Sequence, residues 1–163
     1  MYLPESVERA FPEARQFIYG LSGGGGEIEP PYPRLFISVF DRWLGRKHID
    51  LLTCQTAAER ESRNVRLLNH WSLVADQCSL YELRFGRLIF VESRTAFLAR
   101  CAYDPKKPAR RFVKVFIPEF RAIYSEDWDD TNVVWYQDRD RVKPLLEWAE
   151  ECGLHVLEDW RRG

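Results

Sequence analysis

The stretch from residue 111 to residue 159 constrains the fold more than any other. Phe112, Val113, Lys114, Val115 and Phe116 alternate as a half-buried strand does, until Pro118 and Glu119 break the run. Val133, Val134, Trp135 and Tyr136 form a second apolar run that reads as a strand. Between them, residues 125–132 form an acidic, aromatic loop in which Glu126, Asp127, Asp129 and Asp130 surround Trp128. Asp138 then suits the cap of a helix bearing Val142, Leu145, Leu146, Ala149 and Cys152, and Gly153 suits its stop. Leu154, His155, Val156 and Leu157 can return as a closing strand.

The rest of the chain fits around that unit. Val7, Phe11, Ala14, Phe17, Ile18 and Leu21 make an apolar stripe at helical spacing, which predicts a helix over residues 4–21. Pro12 lies inside it and predicts a kink or two short helices. Residues 22–34, rich in Gly and Pro, read as a connector. Four consecutive glycines without a following Lys-Ser/Thr do not make a phosphate loop. Leu35 to Phe40 is apolar and strand-like, and Asp41 to Gly45 reads as a turn. A long helix over residues 57–76, opened by Thr53 or Thr56, would carry Ala58, Val65, Leu68, Trp71 and Ala75 on one stripe; a break near Asn69 is the alternative. Tyr81 to Phe85 and Leu88 to Val91 alternate around Gly86 as strands. Residues 95–103 and 111–117, flanking a Pro- and Lys-rich turn, predict an antiparallel hairpin. Strands cluster in the middle while helices sit near the ends. That segregation predicts one α+β domain over residues 1–163, with a mainly antiparallel sheet, an N-terminal helix, a long middle helical segment and a C-terminal helix.

Composition narrows the function classes. A chain of 163 residues can bury a core without staples. Its start shows no basic leader followed by an apolar run, and nowhere are there enough consecutive apolar residues to span a bilayer. Cys54, Cys78, Cys101 and Cys152 are scattered and contain no CxxC, which favours reduced thiols over a disulfide framework. A cytoplasmic location is the expectation. The net charge of −1 hides a strong asymmetry: residues 84–121 carry ten Lys/Arg against three Asp/Glu, and residues 122–160 carry eleven Asp/Glu against three Lys/Arg.

Each candidate chemistry has a plain structural counterpart. The loop carboxylates lack the spacing and mid-loop Gly of an EF-hand, so neither a metal nor a cofactor is expected. His48, His70 and His155 match no zinc spacing with the cysteines. A hydrolase could still be assembled in space from Cys78 or Cys101 with His70 or His155. Glu92, Ser93 and Arg94 after a strand bear a faint likeness to a nuclease core, without the second carboxylate that such a site needs. The basic segment 84–121, with Phe85, Phe90, Phe97 and Tyr103 interleaved, could track single-stranded nucleic acid, unless its cations pair with the acidic C-terminal third.

In its aromatic and acidic content and its lack of catalytic motifs, the chain resembles, at class level only, the small cytosolic immunity proteins that neutralise bacterial toxins. The likeness implies occlusion of a toxin's active site or locking of its fold, and assigns no residue. The leading expectation is a non-catalytic protein-binding domain. It would engage a basic partner, such as a toxin, through Glu126, Asp127, Trp128, Asp129 and Asp130, with Trp135 and Tyr136 beside them. The alternatives are a hydrolase or nuclease built from scattered residues, and nucleic-acid binding through residues 84–121.

Overall fold

The computed structural model describes residues 3–22, 32–45, 48, 50–53, 56–84, 87–102, 108 and 111–159. Seven strands form one sheet: β1 Arg34–Ser38, β2 Tyr81–Arg84, β3 Arg87–Phe90, β4 Lys114–Ile117, β5 Ala122–Glu126, β6 Thr131–Tyr136 and β7 His155–Glu158. Their order across the sheet is β3-β2-β4-β5-β6-β1-β7. Each neighbouring pair is antiparallel. The α+β class expected from the segregation of strands and helices is the one observed.

Strand alternation gives the sheet two apolar faces. On one face Leu35, Ile37, Val115, Ile117, Tyr124 and Val134 pack against Trp71, Val74, Phe97, Val142, Leu145 and Ala149. Those partners belong to helices α4 Ala57–Gln77, α5 Arg94–Cys101 and α6 Arg139–Glu151. On the other face Phe116 and Ile123 meet Val7, Phe11, Phe17 and Ile18 of the N-terminal region. The sheet is thus covered on both sides, which explains why β4 and β5 read as nearly continuous apolar runs.

The N-terminal stripe forms two helices, α1 Glu5–Ala10 and α2 Ala14–Ser22, divided at Phe11, Pro12 and Glu13. Proline has no N–H and its ring crowds the preceding turn, so one unbroken helix is disfavoured there. A short helix α3, Asp50–Thr53, precedes α4. Thr56 caps α4: its side chain accepts from the Glu59 N–H at 3.2 Å, and Glu59 accepts from the Thr56 N–H at 2.6 Å. α4 runs unbroken past Asn69, and its buried residues are His70, Trp71 and Val74. Val65, expected on the buried stripe, is 42% exposed.

The expected hairpin of residues 95–103 with 111–117 does not form. Residues Arg94–Cys101 are helix α5, capped by Ser93, whose hydroxyl accepts from the Ala96 N–H at 3.3 Å. Phe97 and Cys101, four apart, are its buried residues, so helical spacing prevails over the apparent alternation. β4 pairs with β2 and β5 instead. Residues 103–107 of the expected turn, and 23–31 of the expected connector, lie outside the described residues. No helix among the described residues is long and apolar enough to cross a membrane.

Candidate functional site

The acidic segment is the tip of the β5–β6 hairpin. Glu126 and Asn132 are cross-strand partners, so the strands claim both ends of residues 125–132 and leave Asp127 to Asp130 as the turn. Asp129 and Asp130 have φ of 64° and 53°. Two successive left-handed residues match the right-handed twist of a hairpin, and Asp tolerates that region better than most side chains.

Contacts pin this tip from several directions. Asp130 pairs with Arg63 of α4 at 3.1 Å, in a contact where both side chains are largely buried, and the Arg63 guanidinium also lies over the Phe40 ring. The Asp130 carbonyl accepts from the Val39 N–H at 3.2 Å, which ties the tip to the end of β1. Glu126 accepts from the Val113 N–H at 2.6 Å. Asp127 accepts from the Trp128 N–H at 2.9 Å. Desolvation raises the pKa of the Asp127 carboxyl, and the neighbouring Asp129 pushes the same way, while the Trp128 N–H bond, Arg34 and Lys114 pull it down. Lys114, itself half-buried, is shifted down by desolvation against the pull of Asp127.

Trp128 is 59% exposed, leaning edge-on against Phe112 with ring centroids 4.9 Å apart. It stands as a partition between two clefts. One, of about 220 Å³, opens on the side of the helices and is lined by Trp71, Asn64, Phe112, Glu126 and Asn132 among others. The other, of about 250 Å³, is lined by Phe36, Phe40, Trp43 and Leu157 and shares Asp127 and Asp129 with the first. A large exposed indole backed by a ring and flanked by carboxylates is a rigid surface with little conformational entropy left to lose.

Of the expected binding residues, the structure brings together Glu126, Asp127, Trp128, Asp129 and Asp130. Trp135 and Tyr136 lie at the opposite end of β6, roughly 13 Å along the strand. Tyr136 is buried, and Trp135 is half-buried beneath the Lys114 ammonium. Arg63, which holds the tip, fell outside the expectation, and Asn132, which lines the cleft floor, lay within the expected loop without being singled out.

Beneath that floor runs a buried polar chain. His70 Nε2 lies 3.0 Å from the Leu145 carbonyl, and Nδ1 lies 2.7 Å from the Tyr124 hydroxyl. Asn132 Nδ2 donates to the same hydroxyl at 2.6 Å. Burial drives the His70 pKa down to about 4, with the Leu145 hydrogen bond opposing. Burial also holds the Tyr124 phenol well above its ordinary value.

Other expected chemistry finds these surroundings. Both His70 nitrogens are engaged by Tyr124 and Leu145, so neither is paired with the Cys101 thiol. The Cys78 thiol is pushed up to about 12 by burial, with the nearby Glu119 acting in the same sense. His155 is exposed on β7. Among the described residues no three His, Cys, Asp or Glu side chains are grouped to hold a metal. In the basic segment, Arg84 and Arg100 pair with Glu82, Arg94 pairs with Asp76, and Arg121 lies over Phe11. Those partner acids come from the middle of the chain. Among the described residues, Asp159 of the acidic C-terminal third pairs with Arg34 and Glu158 with Arg139, while Asp127 attracts Lys114 of the basic segment. Lys106, Lys107, Arg110, Phe85 and Tyr103 lie outside the described residues.

No family model matches the chain, and no curated protein or solved structure matches it either.

Proposed function

We propose that this domain binds a basic protein partner through the β5–β6 tip, with Trp128 as the anchor and Asp127 and Asp129 as the steering charges. The observation that carries the reading is the Trp128 indole, 59% exposed between two clefts that share these carboxylates. Trp is among the residues enriched at interface hot spots, because it buries a large area on docking. Complementary charge accelerates encounter and disfavours acidic competitors. Glu126 and Asp130 serve beneath the surface, fixing the hairpin through Val113 and Arg63. A toxin whose active site the tip occludes is the partner suggested by the class-level likeness to immunity proteins.

The test compares wild type with Trp128→Ala and Asp129→Ala as bait in native lysate at low salt. A basic protein retained by wild type, lost from both variants and released by raised salt supports the reading. Equal retention by all three baits refutes it.

A further inference from the structure

The cleft on the helix side of Trp128 combines features that point to one kind of guest. Among the described residues its lining includes Glu126, Asp127, Asp129 and Asp130 and no Lys or Arg. Two of those acids are already engaged, Asp130 by Arg63 and Glu126 by the Val113 N–H, so the set is not a cage for a divalent ion. The rings of Trp71, Phe112 and Trp128 supply aromatic surface in the same cleft. Its volume of about 220 Å³ is smaller than the roughly 300–1,000 Å³ of pockets for drug-sized ligands, and suits a single head group with its adjoining methylenes.

Asn132 decides the polarity of the floor. The Leu145 carbonyl can only accept, so His70 Nε2 carries the proton. The ring is neutral above its depressed pKa of about 4, which leaves Nδ1 bare, and the Tyr124 hydroxyl donates to it. That hydroxyl has one proton, so toward Asn132 it accepts, and the contacting atom of Asn132 must be Nδ2. The amide orientation is thereby fixed, and Oδ1 is the atom left over. Asn132 is only 3% exposed, lines the cleft, and among the described residues no donor meets its Oδ1. An acceptor that faces the bottom of an acidic, aromatic cleft suits a cation that also donates hydrogen bonds.

We infer that this cleft receives one arginine side chain of the partner, its guanidinium donating to Asn132 Oδ1 while its plane packs against the Trp128–Phe112 wall. The inference rests on the partner-binding reading above and deepens it. Guanidinium fits better than ammonium because it is planar, weakly hydrated and stacks on aromatic faces while its edge donates.

The experiment titrates the full chain with N-acetyl-arginine amide, N-acetyl-lysine amide and the neutral isostere N-acetyl-citrulline amide, following side-chain amide and indole N–H signals by NMR. Saturable shifts of both the Asn132 amide and the Trp128 indole are expected with the arginine probe. Its affinity should exceed that of citrulline by about tenfold, as loss of one charge-assisted contact implies. Trp128→Ala, a change at an exposed position, should weaken the arginine probe to a similar degree. Asn132→Leu should do the same, and the probe series on wild type stands even where that variant fails to fold. Citrulline or lysine binding as tightly as arginine, or an Asn132 amide that does not move, overturns the inference and leaves tip docking intact. Arginine binding at Asn132, with lysate retention unchanged in Trp128→Ala and Asp129→Ala, upholds the cleft chemistry and overturns docking of a protein.

Discussion

His70 makes the stability of this fold depend on pH in a way that can be worked out before measurement. Its ring is buried on the sheet side of α4, with both nitrogens committed to Leu145 and Tyr124. Desolvation disfavours the imidazolium, so the pKa falls from 6.5 to about 4 in the folded chain. Above pH 6.5 both folded and unfolded chains carry a neutral ring and the full contribution is present. As pH falls from 6.5, the unfolded chain takes up a proton that the folded chain refuses, and stability declines until about pH 4, where the folded ring also titrates. At about 1.4 kcal/mol per unit, that window contributes about 3 kcal/mol. The assay is urea unfolding of wild type and His70→Gln at pH 7, 5.5 and 4.5. The variant is less stable at pH 7 but lacks the titration, so the gap between the two narrows toward acid; the other titrating groups are common to both and cancel in the difference. A ring that titrates near 6.5 by NMR in the folded protein, or a gap that stays constant with pH, refutes the account.

Three further outcomes are expected. Tyr124→Phe removes the hydroxyl between His70 Nδ1 and Asn132 Nδ2, leaving a buried acceptor unmatched; the urea midpoint should fall by the equivalent of about 1–3 kcal/mol at unchanged slope, and an unchanged midpoint counts against the chain described here. Gly153, at φ 72°, ends α6, so Gly153→Ala should cost about 1–2 kcal/mol and lower the thermal midpoint by a few degrees; a neutral result would show that the turn relaxes. With its pKa near 12, Cys78 should react with iodoacetamide at pH 8 about a thousandfold more slowly than a thiol at 9, read by peptide mass spectrometry; labelling at the rate of free cysteine refutes the burial effect.

The strands were legible because most of their apolar residues are strictly periodic or continuous. The α6 cap and stop were legible because Asp138 and Gly153 act locally: the Asp138 carboxylate accepts from the Asp140 N–H at 3.0 Å. Helix α5 was misread because in eight residues Thr95, Phe97, Ala99 and Cys101 satisfy alternation nearly as well as Phe97 and Cys101 satisfy a helical repeat. The deciding signal was Ser93, a cap residue set just before the segment. The residues alone left open whether Trp128 stands out or packs inward; leaning against Phe112, it is 59% exposed. Asn132 could not be singled out. Its importance comes from sharing the Tyr124 hydroxyl with a histidine on α4, a contact set by the sheet's packing and invisible in local pattern. The same holds for Arg63, whose partner Asp130 is distant in the chain.

The placement of β1 has a consequence for how the molecule comes into being. Leu35 is hydrogen-bonded between strands whose facing residues are Val134 and Glu158, so this early segment has no sheet neighbour until β6 has been synthesised and no second one until β7 follows. A growing polypeptide can zip β2 to β3 as soon as both emerge, but it must carry Leu35, Phe36 and Ile37 unsatisfied past every intervening element. Closure across such a separation is entropically slow. The nascent chain therefore exposes its greasiest early strand for the longest time, which makes that strand the point at which assistance by a chaperone, or self-association, acts first.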